Sequence, residues 1–213
     1  MLVVPGNHDV CCLGVRLPLK RTGYRQDDLE KARRGLALGG QETQFPWARK
    51  VNERITVFGL NSNNLGNFSA ASNAMGDIGY GQLSKLARLL KKHRDVPIKI
   101  VALHHSPNIP APETAKKRGI APFTPLETLG HQIPEHERRA LRLLCISHGV
   151  RLVVHGHLHR HEDRYVDGLR IVGASATTEP IDPEAAKPEY HIASYSIRGQ
   201  SDRIVRGMVK LKV

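Results

Sequence analysis

Residues 151–159 read RLVVHGHLH, and this stretch decides the fold prediction because an apolar, β-branched run leads directly into three histidines. A short apolar run bounded by turn residues is typical of a strand that is covered on both faces. Similar runs recur along the chain. The candidate strands are residues 2–4, 55–60, 98–103, 152–154, 169–173, 190–197 and 204–213.

Helical patterns lie between these runs. Residues 28–38 are rich in leucine and alanine, residues 82–93 place four leucines on one face, and residues 135–148 begin after a proline and end before a glycine. Strands that alternate with helices indicate an α/β fold with parallel strand pairs. Ligands of such sheets bind beyond the carboxyl ends of the strands. The polar clusters at those ends are therefore the candidate site.

One long stretch, residues 106–134, shows no clear periodicity and contains six prolines, which predicts a long loop. Its basic residues Lys116, Lys117 and Arg118 are candidates to close over a phosphate-bearing substrate, and an ordinary solvated loop is the simpler alternative. Neither a repeat nor a domain boundary is evident, so we expect one domain over residues 1–213.

The composition suits a packed globular protein, with 213 residues of which 40% are hydrophobic. No apolar stretch approaches the roughly 20 residues that span a bilayer. The first ten residues have neither a basic n-region nor a long apolar run, so they do not read as a signal peptide. Three cysteines argue against a disulfide framework and favour a reducing, cytoplasmic location.

The net charge of +12 attracts phosphate groups in general. Nucleic acid is a possible partner on this ground. A soluble basic surface explains the same charge more simply, so nucleic acid is not favoured.

Histidines supply the first candidate ligands. On an extended segment His157 and His159 would face the same way, and imidazole binds Zn, Fe, Ni and Mn well. His104 and His105 follow an apolar strand and should point to opposite sides, so we expect only one of them to bind metal. The alternatives are an exposed polar turn for the first pair and a core or surface histidine for the second.

The segment Gly6-Asn7-His8-Asp9 adds a different kind of ligand. The amide oxygen of Asn7 suits a divalent cation that imidazoles already bind. His8 could lie near a bound phosphate and protonate a leaving oxygen, with Asp9 orienting it. A plain Gly-Asn turn is the structural alternative.

GNHD at 6–9, HHSP at 104–107 and GHLH at 156–159 occur in this order at the ends of apolar strands. Together they resemble the motifs of the calcineurin-like, binuclear metallophosphoesterases, and the resemblance runs from residue 4 to the end. Residues 80–83 and 173–176 are also similar to the branch that includes cyclic-nucleotide phosphodiesterases. The implied fold is an α/β metallophosphoesterase-type β-sandwich of mixed sheets flanked by helices.

The resemblance also implies roles. Asn7, His104 and His157 would bind one of two divalent metal ions (Mn, Fe, Zn, Ni or Co), and His159 would bind the other. Asn7 and His8 would contact the phosphate, His8 and Asp9 would assist the leaving group, and a metal-bound hydroxide would hydrolyse a small phosphoester. His155, His161 and His105 would lie outside the direct ligands.

The sequence departs from the family pattern at its beginning. It contains no Asp-x-His, and its only Gly-Asp, at residues 76–77, follows the Asn-His motif instead of preceding it. The family's two first motifs supply ligands to the first metal and a bridging carboxylate, so the binuclear site would be incomplete. We therefore expect an N-terminally incomplete domain that is poorly stable and essentially inactive. A non-catalytic metal-binding module and a nuclease are the alternatives.

Overall fold

The computed structural model describes residues 2, 4–7, 44–63, 74–117, 123–125, 128, 131–159 and 162–174, and the backbone of 189–198 and 203–212. This part of the chain contains three helices, which are α1 (Tyr80–Lys92), α2 (Pro112–Lys117) and α3 (Glu135–Ser147). Its strands are β1 (Trp47–Asn52), β2 (Ile55–Gly59), β3 (Ile98–Ala102), β4 (Val150–His155), β5 (Glu162–Val166), β6 (Leu169–Gly173), β7 (Glu189–Arg198) and β8 (Arg203–Lys212).

Six strands form one mixed sheet in the order β1-β2-β3-β4-β6-β5. The four inner strands are parallel to one another, whereas β1 and β5 pair antiparallel at the two edges. Strands β7 and β8 form a separate antiparallel pair. The α/β fold with a mixed sheet flanked by helices is thus confirmed.

Helices α1 and α3 bury their apolar stripes in the same core as the inner strands. The stripes contribute Leu83, Leu86 and Leu90 from α1, and Leu141 and Cys145 from α3. Burial of each leucine side chain stabilises the fold by about 1.5–3 kcal/mol. Burial also raises the pKa of the Cys145 thiol to about 12, so this cysteine is an inert core residue.

The two helices are also connected by a buried carboxylate. Glu137 of α3 accepts hydrogen bonds from the backbone N–H groups of Ile78 (2.8 Å) and Gly79 (3.1 Å), just before α1 begins. Gln82 then links α1 to the segment after β2, because its side chain both accepts from and donates to the backbone of Asn61. The loop that follows β2 is therefore held from the helix side.

Several expectations about secondary structure were wrong or incomplete. Residues 2 and 4 lie in no strand, and the segment 106–134 contains the short helix α2. The predicted helix over 28–38 falls outside the described residues. Strands β1 and β5 were not predicted, because the charged residues of WARKVN and EDRYV hide the apolar signal. Both are edge strands of a mixed sheet, where polar residues can face water.

Two arginines fix the backbone where the proline-rich segment begins. Arg142 of α3 donates to the Pro107 carbonyl at 2.9 Å, and Arg164 of β5 donates to the Asn108 carbonyl.

Among the described helices none is long and apolar enough to cross a membrane.

Candidate metal centre

The site lies where the parallel neighbours β3 and β4 end at the same edge of the sheet. Beyond the strands the two loops continue to pair: Leu103 donates to the Val154 carbonyl (3.1 Å), and Gly156 donates to the His104 carbonyl (3.0 Å). This backbone pairing brings His104 next to the Gly-His-x-His turn. Two histidines 53 positions apart in sequence thereby become neighbours.

Asn7, His104 and His157 converge at this point. The Nε2 atom of His104 lies 3.0 Å from Asn7 Oδ1 and 3.0 Å from His157 Nδ1. Two ligands bound to one cation at about 2.0–2.2 Å, roughly at right angles or tetrahedrally, are themselves about 3.0–3.5 Å apart. The observed separations are hydrogen-bonding distances, and they also fall in this range for atoms that share one metal ion.

The chemistry of these donors also fits a divalent cation. Asn7 and His157 are buried, so water competes little for their lone pairs. Neutral imidazole nitrogens together with one amide oxygen suit a borderline metal such as Zn, Mn, Fe, Ni or Co. The residues present therefore fit the metal that the motifs imply.

Burial keeps two of these histidines neutral. It lowers the pKa of His157 to about 3, with a further contribution from the charges of His104 and His131, while the Ala74 carbonyl opposes the change. Burial likewise holds the pKa of His105 well below its usual range, and His157 and His104 lower it further. At neutral pH the lone pairs needed for metal binding are not occupied by added protons.

Contrary to expectation, the backbone of the Gly-His-x-His segment is a turn and is not extended. Strand β4 ends at His155, and both His157 (φ 63°) and His159 (φ 52°) adopt the left-handed conformation. Such non-glycine residues cost free energy and cluster at functional sites. The turn, and not strand alternation, sets the directions of the two imidazoles.

A family model for calcineurin-like phosphoesterases matches residues 1–161. The chain belongs to this family. No curated protein matches it.

Solved structures were also compared with this chain. A protein provisionally named as a 5′-nucleotidase from Staphylococcus aureus, in complex with alpha-ketoglutarate, is 13% identical with a TM-score of 0.47. The match covers 99% of this chain but only 37% of that chain. A single mutant of Vps29 from Entamoeba histolytica is 17% identical, with coverages of 73% and 99% and a TM-score of 0.21. Wild-type Vps29 from the same organism, complexed with Zn, is 16% identical, with coverages of 72% and 98% and a TM-score of 0.21.

His104 and His105 do not alternate across a strand, contrary to expectation. Strand β3 ends at Ala102, and the two rings lie edge to face with centroids 5.0 Å apart. The ring of His105 is also 4.3 Å from that of His157. Ligand atoms of His104, His105 and His157 lie within 4.8 Å of one another, so both members of the pair enter one cluster.

The remaining candidate residues are placed differently. His159 is exposed and does not join that group of three histidines. His155 is buried, and its Nε2 lies 2.6 Å from Glu162 Oε1. His8, Asp9 and His161 lie outside the described residues.

Two residues that the sequence analysis did not assign to the site also contact the histidine cluster. Ser62, in the polar segment after β2, is fully buried with its hydroxyl 2.9 Å from His105 Nδ1. His131, at the end of the proline-rich segment, has its ring centroid 4.9 Å from that of His157. A polar residue directly after a strand was a signal for Ser62. No motif marks His131.

Proposed function

We propose that this chain is a metal-dependent phosphoester hydrolase. Its substrate would be a small soluble phosphoester, and it would act as a phosphodiesterase or phosphomonoesterase. The observation that carries the proposal is the convergence of Asn7 Oδ1, His104 Nε2 and His157 Nδ1, with successive separations of 3.0 Å. These three residue types offer lone pairs of the kind that a divalent cation binds.

Specific residues would hold the metals. Asn7, His104 and His157 would bind one cation, and His159, on the exposed side of the same turn, would bind the other. A cation bound there supplies a Lewis acid for the phosphoryl group and lowers the pKa of water. His8, adjacent to Asn7 in sequence, would contact the phosphate and protonate the leaving oxygen, with Asp9 orienting it.

Buried neighbours would keep this arrangement in place before substrate binds. The Asn63 side chain donates to the Pro5 carbonyl at 3.0 Å, which anchors the backbone two residues before Asn7. Gly6 allows the closest approach to His104, since a Cβ there would lie 2.9 Å from its ring. The Asn-His segment is thus held against the strand ends that carry the histidines.

The first test is metal binding by the 213-residue chain, titrated with Zn²⁺ by calorimetry. We expect His104→Ala and His157→Ala each to weaken binding at least about 100-fold, because a lost ligand should exceed the roughly 10–100-fold effect of a lost supporting residue. His148→Ala, at the end of α3, is the matched control and should bind normally. A wild-type chain that binds neither Zn²⁺ nor Mn²⁺ overturns the proposal.

The second test is hydrolysis of bis-p-nitrophenyl phosphate with added Mn²⁺. We expect no more than a trace of turnover, since the sequence contains no Asp-x-His and no Gly-Asp-x-x-Asp to complete the binuclear ligand set. That turnover should disappear in His157→Ala and persist in His148→Ala. Metal binding without any turnover would instead support a non-catalytic metal-binding module.

The charge of +12 favours one further candidate, a nuclease. A protein that neutralises several phosphates loses about 10³–10⁵-fold in affinity for DNA between 50 and 200 mM salt. We expect weak DNA binding, because a generally basic surface explains this charge without a dedicated DNA site. Cleavage of DNA, together with binding that weakens steeply as salt is added, would favour the nuclease.

A further inference from the structure

We propose that Ser62 is a positioning residue that makes His104, and not its neighbour His105, the metal ligand. The inference rests on the proposed metal centre and adds the reason why only one histidine of the adjacent pair can bind the cation. Its basis is the number of hydrogen bonds that one buried hydroxyl can make.

Ser62 is completely buried, and its hydroxyl oxygen touches three polar groups. The backbone N–H of His104 donates to Ser62 Oγ at 3.2 Å, and the backbone N–H of His105 donates to the same oxygen at 3.0 Å. The third neighbour is His105 Nδ1, at 2.9 Å.

A serine hydroxyl has two lone pairs and one hydrogen to donate. The two backbone N–H groups occupy both lone pairs, so the remaining contact must be the Ser62 hydroxyl donating to His105 Nδ1. A neutral His105 then carries its own hydrogen on Nε2. Neither ring nitrogen of His105 then retains a lone pair for a metal, although the ring lies within the cluster. Its buried Nε2–H has no acceptor within hydrogen-bond distance among the described residues.

The same hydroxyl directs the other histidine toward the metal. By accepting from both backbone N–H groups, Ser62 holds the chain where it leaves β3, and His104 Nε2 then reaches Asn7 Oδ1 and His157 Nδ1. His105 packs its ring 4.3 Å from that of His157 and supports that ligand through contact. The backbone carbonyl of Ser62 in turn accepts a hydrogen bond from the backbone N–H of Asp77 at 3.0 Å, which fixes the serine itself.

The first experiment measures Zn²⁺ affinity of the full 213-residue chain by calorimetry. Ser62→Ala should weaken binding about 10- to 100-fold, the range found for residues that support a ligand. Ser62→Thr keeps the hydroxyl and should restore most of the affinity. Thr56→Ala is the matched control, because Thr56 is a fully buried residue of β2 whose hydroxyl has no hydrogen-bond partner among the described residues.

The control separates positioning from general destabilisation. Thr56→Ala should lower the unfolding temperature and leave Zn²⁺ affinity within about 3-fold of wild type, whereas Ser62→Ala should change both. Unchanged Zn²⁺ affinity in Ser62→Ala overturns the inference while leaving the metal centre intact. A wild-type chain that does not bind Zn²⁺ removes the proposed function first.

The second experiment compares two matched substitutions, His104→Asn and His105→Asn. Asparagine at 105 keeps an acceptor for the Ser62 hydroxyl, so we expect Zn²⁺ affinity to fall no more than about 10-fold, whereas His104→Asn should lose it by at least about 100-fold. Equal losses would show that His105 is a ligand, and the inference would fail.

A third measurement reads the hydrogen position in the wild-type chain and needs a variant only to assign one resonance. Nitrogen-15 NMR of the metal-free wild-type chain distinguishes an imidazole that carries its hydrogen on Nε2 from one that carries it on Nδ1. The resonance that disappears in His105→Asn should belong to the Nε2–H form. Assignment of that resonance to the Nδ1–H form would overturn the inference.

Discussion

Replacement of Glu162 by glutamine should destabilise the protein by about 3 kcal/mol, because Glu162 is the shared acceptor of a buried ionic network. Its carboxylate lies 2.6 Å from His155 Nε2 and 2.8 Å from Arg164 Nε. The Glu162 and Arg164 side chains are only 11% and 6% exposed, so water screens their interaction weakly.

The magnitude follows from the pKa of the carboxyl. Burial alone would raise it, but hydrogen bonds and charges from His155 and Arg164 outweigh burial and lower it from 4.5 to about 2. At roughly 1.4 kcal/mol per pH unit, this difference favours the charged, folded form by about 3 kcal/mol. Breaking one side of a buried ion pair costs a similar amount, about 3–5 kcal/mol.

The sign of the pH dependence is also determined. The folded-state pKa is depressed, so the stabilisation is present above the unfolded-state pKa of 4.5 and is lost as pH falls toward 2. Urea unfolding should therefore show a difference of about 3 kcal/mol between wild type and Glu162→Gln at pH 7, shrinking steadily below pH 4.5.

An exposed pair supplies the control. Glu53 lies 2.6 Å from Lys50, but its side chain is 89% exposed, so Glu53→Gln should have almost no effect at any pH. If Glu162→Gln proves no more destabilising than Glu53→Gln, or if its effect does not diminish in acid, the reasoning about the buried network is refuted.

Three other substitutions test further features of the structure. Gly59→Ala should lower the unfolding temperature by several degrees, since its Cβ would lie 2.1 Å from the Trp47 ring, whereas Gly81→Ala meets nothing within 4 Å and should be neutral or stabilising. Gly6→Ala should weaken Zn²⁺ binding about 10-fold in calorimetry, because its Cβ would lie 2.9 Å from the His104 ring. Gly156→Ala should bind normally, because its Cβ would lie at an ordinary 3.7 Å from the same ring. Equal affinities of the two variants would contradict the close approach at Gly6. Asp77→Asn should stabilise the chain at pH 7 and not at pH 3. Burial, and then the charge of Glu137, raise the pKa of Asp77, so the folded state disfavours the carboxylate above pH 3.8. Thermal melts that show no pH-dependent gain in stability would refute this.

The inner strands could be predicted because each is mostly apolar and rich in β-branched residues. Buried parallel strands need apolar residues on both faces, and residues 98–103 and 152–154 show this directly in the sequence. Helices α1 and α3 were equally visible, since their leucines recur at helical spacing. The edge strands β1 and β5 were not, because half of each faces water and the apolar pattern is diluted by charge.

The candidate site was only partly predictable for a similar reason. Motifs singled out Asn7, His104 and His157, since amide oxygens and imidazole nitrogens are ligand types that divalent cations bind. The roles of Ser62 and His131 required the fold. The place of Ser62 after an apolar run gave only a general signal for a site residue, and nothing in the sequence marks His131. Their roles arise from contacts between segments that are far apart along the chain.

Residue types and their order determined the α/β class and the family, and they singled out the candidate ligands of a divalent cation. Those properties are local, since an apolar run forms a strand and an imidazole offers a lone pair wherever it lies. The directions of the imidazoles were decided by the tertiary structure alone. Three features set those directions: the left-handed backbone at His157 and His159, the end of β3 at Ala102, and the hydroxyl of Ser62. Each of them depends on packing and hydrogen bonds between segments that are distant in sequence.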